Sequence, residues 1–281
     1  MNHNPPLISI VVAVLNNKTT LQQCIDSIIQ QTYANVELIV IDGGSTDGTK
    51  DIIIHNSQFI TYWVSEPDRG IYHAWNKALV KARGDWICFL GADDFLWNEN
   101  VLESIVKHLV LIPININIAY TKTILLDNKN NPMFSLGMPW ECVKNRFKYD
   151  MCIPHPSVMH RRSLFEKHGY FDESFKIAGD YELLLRELKY GNAFFIQDII
   201  LTAMRQGGIS SSPKNTLLTL REVRKAQKKM EFRWPGSIWV MAVVRVYLRI
   251  VLWKLLGENM TRKFLDKGRQ VMGLPPFWTK T

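Results

Sequence analysis

Apolar runs and amphipathic segments alternate through the first part of the chain. Residues 7–15 read LISIVVAVL, a continuous β-branched run that is typical of a strand buried on both faces of a parallel sheet. Residues 18–31 then carry apolar side chains at helical spacing. The alternation continues and predicts a doubly wound α/β sheet, in which ligands bind beyond the carboxyl ends of the strands. The further elements predicted here are strands at 36–42, 59–65 and 86–92, and helices from about Lys50 and through Ala82.

The rest of the chain has a less regular pattern. A turn at DNKNNP interrupts the apolar residues between 113 and 136, which predicts short strands there. From residue 214 onward the pattern is helical and rich in cations. The elements predicted in between are a strand at 155–160, a short helix at 161–168, a helix at 178–190 and one or two strands within 193–204.

The composition is that of a globular protein, and the charge is unevenly distributed. Of the 281 residues, 47% are hydrophobic and 21% are charged, so the chain can bury a core without disulfides. The net charge of +8 divides into −3 for residues 1–209 and +11 for residues 210–281. The near-neutral body disfavours a uniformly basic nucleic-acid-binding protein, although an enzyme can carry a basic tail.

The cysteines and the first residues indicate a cytosolic protein. The four cysteines are scattered and form no CxxC pair, which is typical of reduced, mostly buried thiols. The start, MNHNPPLIS, lacks the basic segment, apolar core and cleavage site of a signal peptide. We therefore expect a cytoplasmic location.

Acidic side chains follow the predicted strands at the edge where such a sheet binds ligands. Asp42 ends the second strand, and Asp68 lies in the turn after the third. Asp93 and Asp94 follow the fourth, and such a pair suits a hard divalent cation, which proteins hold with one or two carboxylates plus substrate phosphates. Each acid alone could also cap a turn or helix or begin a loop. Their occurrence at one sheet edge favours a ligand site.

Two common nucleotide-binding motifs are missing from the sequence. It has no GxxxxGK[ST], which disfavours a P-loop NTPase. The first strand is followed by no GxGxxG, which disfavours a dinucleotide-binding Rossmann enzyme.

Six segments carry a specific combination of motifs: ISIVVAVLNN, ELIVIDGGSTDGT, SEPDRGIYHAWNKAL, GDWICFLGADD, HPSVMHRRSLFEKHGYFDESFKIAGDYELLLR and MRQGGIS. Through them, residues 7–210 resemble the inverting family 2 glycosyltransferases of GT-A fold, in the branch that builds bacterial polysaccharides such as O-antigen, capsule and colanic acid. The resemblance implies a Rossmann-like α/β fold with a mixed sheet flanked by helices. A nucleotide-binding half at about 1–112 and an acceptor half at about 113–210 would form the catalytic domain, followed by a basic helical extension at 211–281.

The resemblance also implies binding roles for individual residues. Asp94 would hold a divalent metal cofactor, Mn²⁺ or Mg²⁺. This chain has Ala92 where the DxD motif of the family has its first acid, which leaves fewer carboxylates for the ion. The nucleotide sugar would be bound by Ala13 and Val14, which line the base, by Asp42, which accepts a hydrogen bond from the base, by Asp68, and by Asp93, which contacts the ribose.

The catalytic base implied by the resemblance is Asp180, in AGDYELLLR. Relatives often have Glu-Asp at this place, whereas Gly179 precedes the aspartate here. A positioned carboxylate can accept the proton of an acceptor hydroxyl as its oxygen attacks the anomeric carbon. Without the resemblance, an acid favoured by a helix N-terminus would be the preferred explanation of Asp180.

Two further residues are candidates for contacts to the diphosphate or the acceptor. His155 lies between two prolines in IPHPS, so its backbone is stiff. Arg205, in MRQGGIS, could neutralise diphosphate charge. The alternatives are a histidine in a surface loop and a solvated arginine.

The reaction implied by the resemblance moves a sugar from a nucleoside diphosphate donor, expected to be UDP-linked, to a growing surface glycan or a polyprenyl-diphosphate-linked acceptor. The cation would act as a Lewis acid on the leaving diphosphate. A single base and an in-line attack would give inversion. The enzyme would work as a peripheral protein at the inner face of the bacterial cytoplasmic membrane.

The basic tail contains a segment that suits a membrane surface. Residues 234–257 are apolar and aromatic, but Arg245, Arg249 and Lys254 interrupt them. Each charge would cost about 2.5–3.5 kcal/mol at the bilayer centre, so the sequence favours an interfacial helix that meets anionic lipids over a spanning helix. The alternative is a helix packed on the catalytic domain. The cations of 214–233 also fit a solvated helix face.

Three other functions fit the sequence less well. A sugar-nucleotide nucleotidyltransferase would need a glycine-rich phosphate loop after the first strand. A nucleic-acid-binding module built on the basic tail would bind with a steep salt dependence, but the interleaved Trp and Val suit lipid or packing better. A non-catalytic partner in glycan assembly is disfavoured by the intact set of aspartates.

Overall fold

A computed structural model describes residues 5–206, 215–271, 273 and 278–279 of the chain. Its central feature is a nine-stranded mixed sheet with helices on both faces, which confirms the predicted mixed α/β architecture. The strands are β1 Ile8–Val14, β2 Val36–Asp42, β3 Tyr62–Ser65, β4 Trp86–Gly91, β5 Phe95–Leu96, β6 Ile118–Leu126, β7 Pro132–Leu136, β8 Val158–Arg161 and β9 Ala193–Arg205. The helices are α1 Leu21–Ile29, α2 Thr49–His55, α3 Ile71–Lys81, α4 Val101–Leu109, α5 Trp140–Phe147, α6 Arg162–His168, α7 Gly179–Leu188, α8 Thr216–Lys229, α9 Ser237–Leu256 and α10 Glu258–Val271.

The sheet combines a parallel half with a mixed half. Its strand order is β3-β2-β1-β4-β8-β6-β9-β5, and β7 pairs with β6. Strands β1 to β4 are parallel, as the buried apolar runs predicted. In the other half, β8 is antiparallel to β4 and β6, and β9 is parallel to β6. The carboxyl ends of β1, β2, β3 and β4 therefore lie along one edge.

Two apolar layers hold the helices against the two faces of the sheet. One layer contains side chains of α3, α5, α6, α7 and α8, and Tyr120 of β6 is fully buried in it. The other contains α1, α4 and Ile53 of α2. Val223 and Ala226 of α8 belong to the first layer, so α8 packs as part of the same core as α3 and α7. The boundary expected at residue 210 stays a prediction.

Several elements differ from the sequence expectation at their ends. The third strand begins at Tyr62 because Ser57–Phe59 form a 3₁₀ turn. The strand expected at 155–160 begins at Val158, since His155–Ser157 form a second 3₁₀ turn that follows Pro154 and contains Pro156. Residues 193–205 form one continuous strand. The short strand β5 and the helices α4 and α5 had no counterpart among the predicted elements.

The C-terminal helices α8, α9 and α10 follow one another along the surface. Trp239 of α9 donates from Nε1 to the carbonyl of Leu220 at 2.9 Å, and Arg249 donates to Thr216 Oγ1 at 3.1 Å. Both hydrogen bonds tie α9 to α8. Within the described part of the chain, no helix is long and apolar enough to cross a membrane.

Candidate active site

The ends of the parallel strands bring the predicted nucleotide-binding residues together. In the sheet register, Val14 of β1 is beside Asp42 of β2, which is beside Ser65 of β3. On the other side of β1, Ala13 is beside Gly91 of β4. Because the strands run in the same direction, the loops after them open on a single edge. That edge is where the predicted carboxylates lie.

Asp42 is fully buried and held by serine side chains. Its carboxylate accepts hydrogen bonds from Ser65 Oγ at 2.6 Å, from the Ser45 amide at 3.1 Å and from the Ser45 hydroxyl. The Ser45 amide also lies 3.3 Å from Asp42 Oδ1, so four hydrogen bonds from Ser45 and Ser65 reach this carboxylate. The hydrogen bonds fix Asp42 at the end of β2, next to the turn that begins at Gly43.

Asp68 lies beside that turn and is paired with α3. A Cβ added to Gly43 would be 3.5 Å from Asp68 Oδ2. The other carboxylate oxygen is 2.5 Å from Lys77 Nζ and 2.9 Å from His73 Nδ1. Asp68 is thus oriented by an ion pair from α3, and it borders the space in front of β2.

Asp93 and Asp94 form a carboxylate pair at the end of β4. A Cβ added to Gly91 would be 2.8 Å from Asp93 Oδ1 and 2.9 Å from Asp94 Oδ2. Asp94 is buried, and burial, followed by the charge of Asp93, raises its pKa well above the usual range. Because the negative charge of Asp93 disfavours ionisation of Asp94, a cation bound beside both carboxylates would reduce the repulsion between them.

Arg205 joins this pair from the end of β9. Its backbone amide donates to Asp94 Oδ1 at 3.1 Å, and its guanidinium donates to the carbonyl of Asp93. The guanidinium also lies over the Phe95 ring, 5.2 Å from the ring centroid. These contacts place a fixed positive charge beside the carboxylates, where a diphosphate would also be neutralised.

The donor set fits a divalent ion that completes its coordination with substrate. In the described residues there is no group of three or more His, Cys, Asp and Glu side chains arranged to hold a metal. Asp93 and Asp94 therefore supply at most two carboxylates. Mg²⁺ and Mn²⁺ sites of this kind take their remaining ligands from phosphates and water.

Asp180 lies at the start of α7 in contact with Tyr72 of α3. Its Oδ1 accepts a hydrogen bond from the Tyr181 amide at 2.8 Å and lies 3.3 Å from the Tyr72 hydroxyl. Burial raises the pKa of Asp180 to about 6, even though these two hydrogen bonds act in the opposite direction. A carboxylate with such a pKa is ionised at neutral pH and is still able to take up a proton.

The absence of a side chain at Gly179 makes room for Tyr72. A Cβ there would lie 2.7 Å from the Tyr72 ring. Tyr72 is almost fully buried, and its hydroxyl donates to the carbonyl of Ile177 at 2.6 Å. The ring thus occupies the space that a larger residue before Asp180 would require.

The loop after β3 contacts the loop that precedes Asp180. Arg69 forms an ion pair with Glu173 at 2.6 Å, and Lys176 Nζ donates to the Arg69 carbonyl at 2.8 Å. Arg69 follows Asp68 directly, and Lys176 precedes Asp180 by four residues. The segment after β3 and the segment before α7 are therefore fastened together.

The predicted residue His155 lies in an aromatic cluster of the core. Its ring is 7% exposed and stacks on Trp75, with 5.2 Å between ring centroids. Burial lowers its pKa to about 3, so the ring is neutral at physiological pH. Its Nε2 has no hydrogen-bond partner within the described structure. The ring contacts of His155 are with Trp75 of α3, Phe89 of β4 and His160 of β8, and no contact joins it to the carboxylate pair in the described residues.

Sequence reasoning missed several residues around the predicted ones. Tyr72 and Lys77 lie within a motif that the resemblance used. The partners of Tyr72, Ile177 and Asp180, are far away in the chain, whereas Lys77 pairs with the nearby Glu66 and Asp68. Glu222 lies in the cation-rich segment 214–233 but is buried in α8 together with Val223 and Ala226. In MRQGGIS, residues 207–210 lie outside the described residues.

Comparison with known proteins gives a family match over most of the sheet. The sequence profile of glycosyl transferase family 2 matches residues 9–169, more than half of the chain. A PGL/p-HBAD biosynthesis glycosyltransferase of Mycobacterium tuberculosis is 26% identical over 275 residues, covering 89% of this chain and 98% of the relative. An uncharacterised glycosyltransferase of Rickettsia typhi is 28% identical, covering 71% of this chain and 64% of the relative.

Solved structures share the fold. A mannosyltransferase from Pyrobaculum calidifontis, in complex with GDP-Man and Mn²⁺, aligns with a TM-score of 0.64 and 17% identity, covering 98% of this chain and 83% of that protein. Residues 1–349 of TarS from S. aureus, in complex with UDP-GlcNAc, align with a TM-score of 0.62 and 18% identity, covering 78% of this chain and 66% of that one. The fold is accordingly that of the GT-A glycosyltransferases.

Proposed function

This chain belongs to glycosyl transferase family 2, and we propose that it transfers a sugar from a nucleoside diphosphate donor to a glycan acceptor with inversion at the anomeric carbon. The observation that carries the proposal is the shared sheet edge. Asp42, Asp68 and the Asp93–Asp94 pair border it, and Lys176, four residues before Asp180, is bonded to the loop that follows Asp68. The aspartates at the edge would bind the nucleotide, and Asp180 would accept the proton of the acceptor.

The donor is proposed to be a UDP-sugar. Asp42 would accept a hydrogen bond from the base, next to Ala13 and Val14, while Asp68 and Asp93 would hold the rest of the nucleotide. The complexes of TarS with UDP-GlcNAc and of the mannosyltransferase with GDP-Man support a nucleoside diphosphate sugar for this fold.

A divalent ion is proposed at Asp94, with Asp93 next to it. The ion would neutralise charge on the leaving diphosphate, acting as a Lewis acid. The mannosyltransferase complex with Mn²⁺ supports such an ion. Arg205 adds a fixed cation on the same side, so this chain itself contributes to diphosphate neutralisation.

Asp180 is proposed as the general base. Its carboxylate would accept the proton of the acceptor hydroxyl while that oxygen forms the new bond to the anomeric carbon and the diphosphate leaves from the opposite side. A positioned base of this kind contributes typically about 10²- to 10⁴-fold in rate. The Tyr72 hydroxyl fixes one side of the carboxylate.

The acceptor is proposed to be a surface glycan or a polyprenyl-diphosphate-linked sugar at the cytoplasmic face of a bacterial membrane. The support comes from α9, which exposes a continuous apolar stripe. The seven side chains of the stripe are 44% to 74% exposed. They are Val240, Met241, Val244, Tyr247, Leu248, Val251 and Leu255.

The geometry and charge of α9 favour an anionic lipid surface as the partner of this stripe. At about 3.6 residues per turn, Lys254 projects along one border of the stripe and Arg245 along the other. The buried Val246 lies on the opposite face of the helix. Because α9 contains no acid, two copies packed face to face would bring like charges together, whereas anionic headgroups would match both borders.

A vesicle experiment tests the membrane assignment. The chain should cosediment with vesicles containing phosphatidylglycerol and much less with pure phosphatidylcholine. Leu248→Glu should abolish this binding, whereas Ile114→Glu, at a position 82% exposed and outside the C-terminal helices, should not. Unchanged binding by Leu248→Glu, or a soluble dimer that this variant dissociates, would rule out the lipid surface.

A donor screen tests the proposed reaction. UDP-, GDP- and dTDP-sugars would be assayed for thermal shift and nucleoside diphosphate release, with Mn²⁺ and with a chelator. We expect one UDP-sugar to stabilise the protein and to be turned over only with the metal. A protein that binds none of the donors under either condition would contradict the proposal.

A further inference from the structure

A buried carboxylate of helix α8, that of Glu222, contacts the loop that precedes Asp180. Glu222 is 6% exposed and accepts three backbone hydrogen bonds. Its Oε1 accepts from the Lys176 amide at 2.8 Å, and its Oε2 accepts from the Ile177 and Ala178 amides at 2.8 and 2.9 Å. A single side chain thus satisfies three consecutive donors just before α7.

The backbone amides of residues 176–178 would be costly to leave without a hydrogen-bond acceptor. The first amides of a helix and of the turn before it have no partner within the helix, and Ala178 is buried. A carboxylate forms stronger hydrogen bonds to them than a neutral acceptor does, and the positive end of the helix dipole favours its charge. The contacts of Glu222 therefore restrict where the backbone at 176–178 lies.

The same loop is held from the opposite side by α3. The Tyr72 hydroxyl donates to the Ile177 carbonyl at 2.6 Å and also lies 3.3 Å from Asp180 Oδ1. Ile177 is therefore bonded through its amide to α8 and through its carbonyl to α3. Asp180 follows Ile177 by three residues.

We propose that Glu222 is a positioning residue for Asp180, acting through the backbone of 176–178 and placing the basic helical extension in the catalytic machinery. The inference rests on the proposed function of Asp180 as the base. It makes α8 part of the active domain, because the carboxylate that sets the base loop comes from residue 222, after the family match has ended at residue 169.

The charge of Glu222 also affects the ionisation of Asp180. Two titratable groups with a marked effect on the Asp180 carboxyl are Tyr72 from α3 and Glu222 from α8. Burial is the main cause of the raised pKa of Asp180, and the negative charge of Glu222 adds to it, while Tyr72 acts in the opposite direction. Removing the charge of Glu222 should lower the pKa of Asp180.

Glu187 provides a matched control at the other end of α7. It is also a buried carboxylate, 5% exposed, and it accepts from Lys167, His168 and Asn117. It has no part in the loop at 176–178. Glu187→Gln should therefore lower stability without changing the behaviour of Asp180.

The test compares full-length Glu222→Gln, Glu187→Gln and wild type in three measurements. Amide hydrogen exchange at 176–178 should become faster only in Glu222→Gln. With the donor found in the screen, kcat of this variant should fall by about 10- to 100-fold, as expected for a displaced catalytic group, with an unchanged donor KM. The acid limb of its pH profile should move to lower pH.

Each outcome of this test decides one step of the inference. Exchange at 176–178 in Glu222→Gln that is as slow as in wild type would show that Glu222 does not hold this loop. Faster exchange with a wild-type kcat would show that the loop position does not matter for Asp180. If Glu222→Gln does not fold, Glu222→Asp keeps the charge but shortens the reach, and it should speed exchange without moving the acid limb. If wild type turns over no nucleotide sugar, the proposed function fails, while exchange and NMR titration of Asp180 still test the role of Glu222.

Discussion

Replacing Gly179 by alanine would place a methyl group where the Tyr72 ring lies. The added carbon would be 2.7, 2.8 and 2.9 Å from Cε2, Cζ and Cδ2 of that ring. Tyr72 has little freedom to move, because it stacks on Phe171 with 5.5 Å between centroids and meets Trp75 edge-on at 5.4 Å. Its hydroxyl is bonded to the Ile177 carbonyl.

The expected loss of stability follows from these contacts. Overpacking a tight site costs about 1–3 kcal/mol, and the better helix propensity of alanine offsets up to about 1 kcal/mol of this. We expect a net loss of about 1–2 kcal/mol, which corresponds to a fall in Tm of very roughly 2–8 °C for a chain of this size. The Tyr72 hydroxyl should also leave Asp180, so the acid limb of transfer should move to higher pH.

Gly268→Ala is the matched control for this substitution. Gly268 lies within α10, and a Cβ there would meet nothing within 4 Å. Alanine at this position should stabilise the protein by up to about 1 kcal/mol. Differential scanning calorimetry and urea unfolding of both variants measure the two effects.

A double-mutant cycle separates the clash from other causes. In a Tyr72→Ala background, Gly179→Ala should lose its penalty, because the ring that it meets is no longer present. Wild-type stability of Gly179→Ala, or an equal penalty with and without Tyr72, would refute the packing argument.

Further predictions address ionisation, the metal, the buried acid Glu37 and stereochemistry. Transfer should rise as the pH passes through about 6, because burial raises the pKa of Asp180 to about 6 and only its ionised form accepts a proton; a flat profile through this range would exclude it as the base. Asp94→Asn should remove the Mn²⁺-dependent part of UDP binding in calorimetry, whereas Asp51→Asn, on the exposed face of α2, should bind as wild type does. Burial alone would raise the pKa of Glu37, but hydrogen bonds from Ser9 and Arg83 outweigh it and hold the pKa below its usual value. The stability that these bonds contribute is therefore fully present at a pH above the usual pKa of Glu, and it is lost as the pH falls through the lowered pKa of Glu37. Glu37→Gln should therefore unfold at neutral pH with about 1–3 kcal/mol less free energy and show a weaker acid dependence by circular dichroism. NMR of the first product should show inverted anomeric configuration, and retention would exclude a single-base mechanism.

Local sequence signals were sufficient to predict the parallel half of the fold. The strand expected at VELIVID was found as Val36–Asp42, because a β-branched run buried on both faces has few alternatives. The two-residue strand β5 has no such pattern, and it exists because Phe95 and Leu96 pair with β9. The short 3₁₀ turn at His155 likewise depends on flanking prolines within a strand-like run.

The candidate site could be predicted only as a set of carboxylates. Asp42, Asp93 and Asp94 follow predicted strands, so chain order alone places them at one edge. The contacts of Asp180 could not be inferred in this way, since Tyr72 is 108 residues away and the partners of Glu222 are 44 to 46 residues away. A helix-start acid and a catalytic base look alike in sequence, and the packing of α3 and α8 around the loop before Asp180 is visible only in the structure.

The most direct test of the account is nucleoside diphosphate release by wild type and Asp180→Asn at saturating Mn²⁺ and donor, with donor affinity measured in parallel. Asp180→Asn should bind the donor with an unchanged Kd and lose at least about 10²-fold in kcat. Release at the wild-type rate, with the fold intact, would contradict the assignment of Asp180 as the base and with it the proposed mechanism.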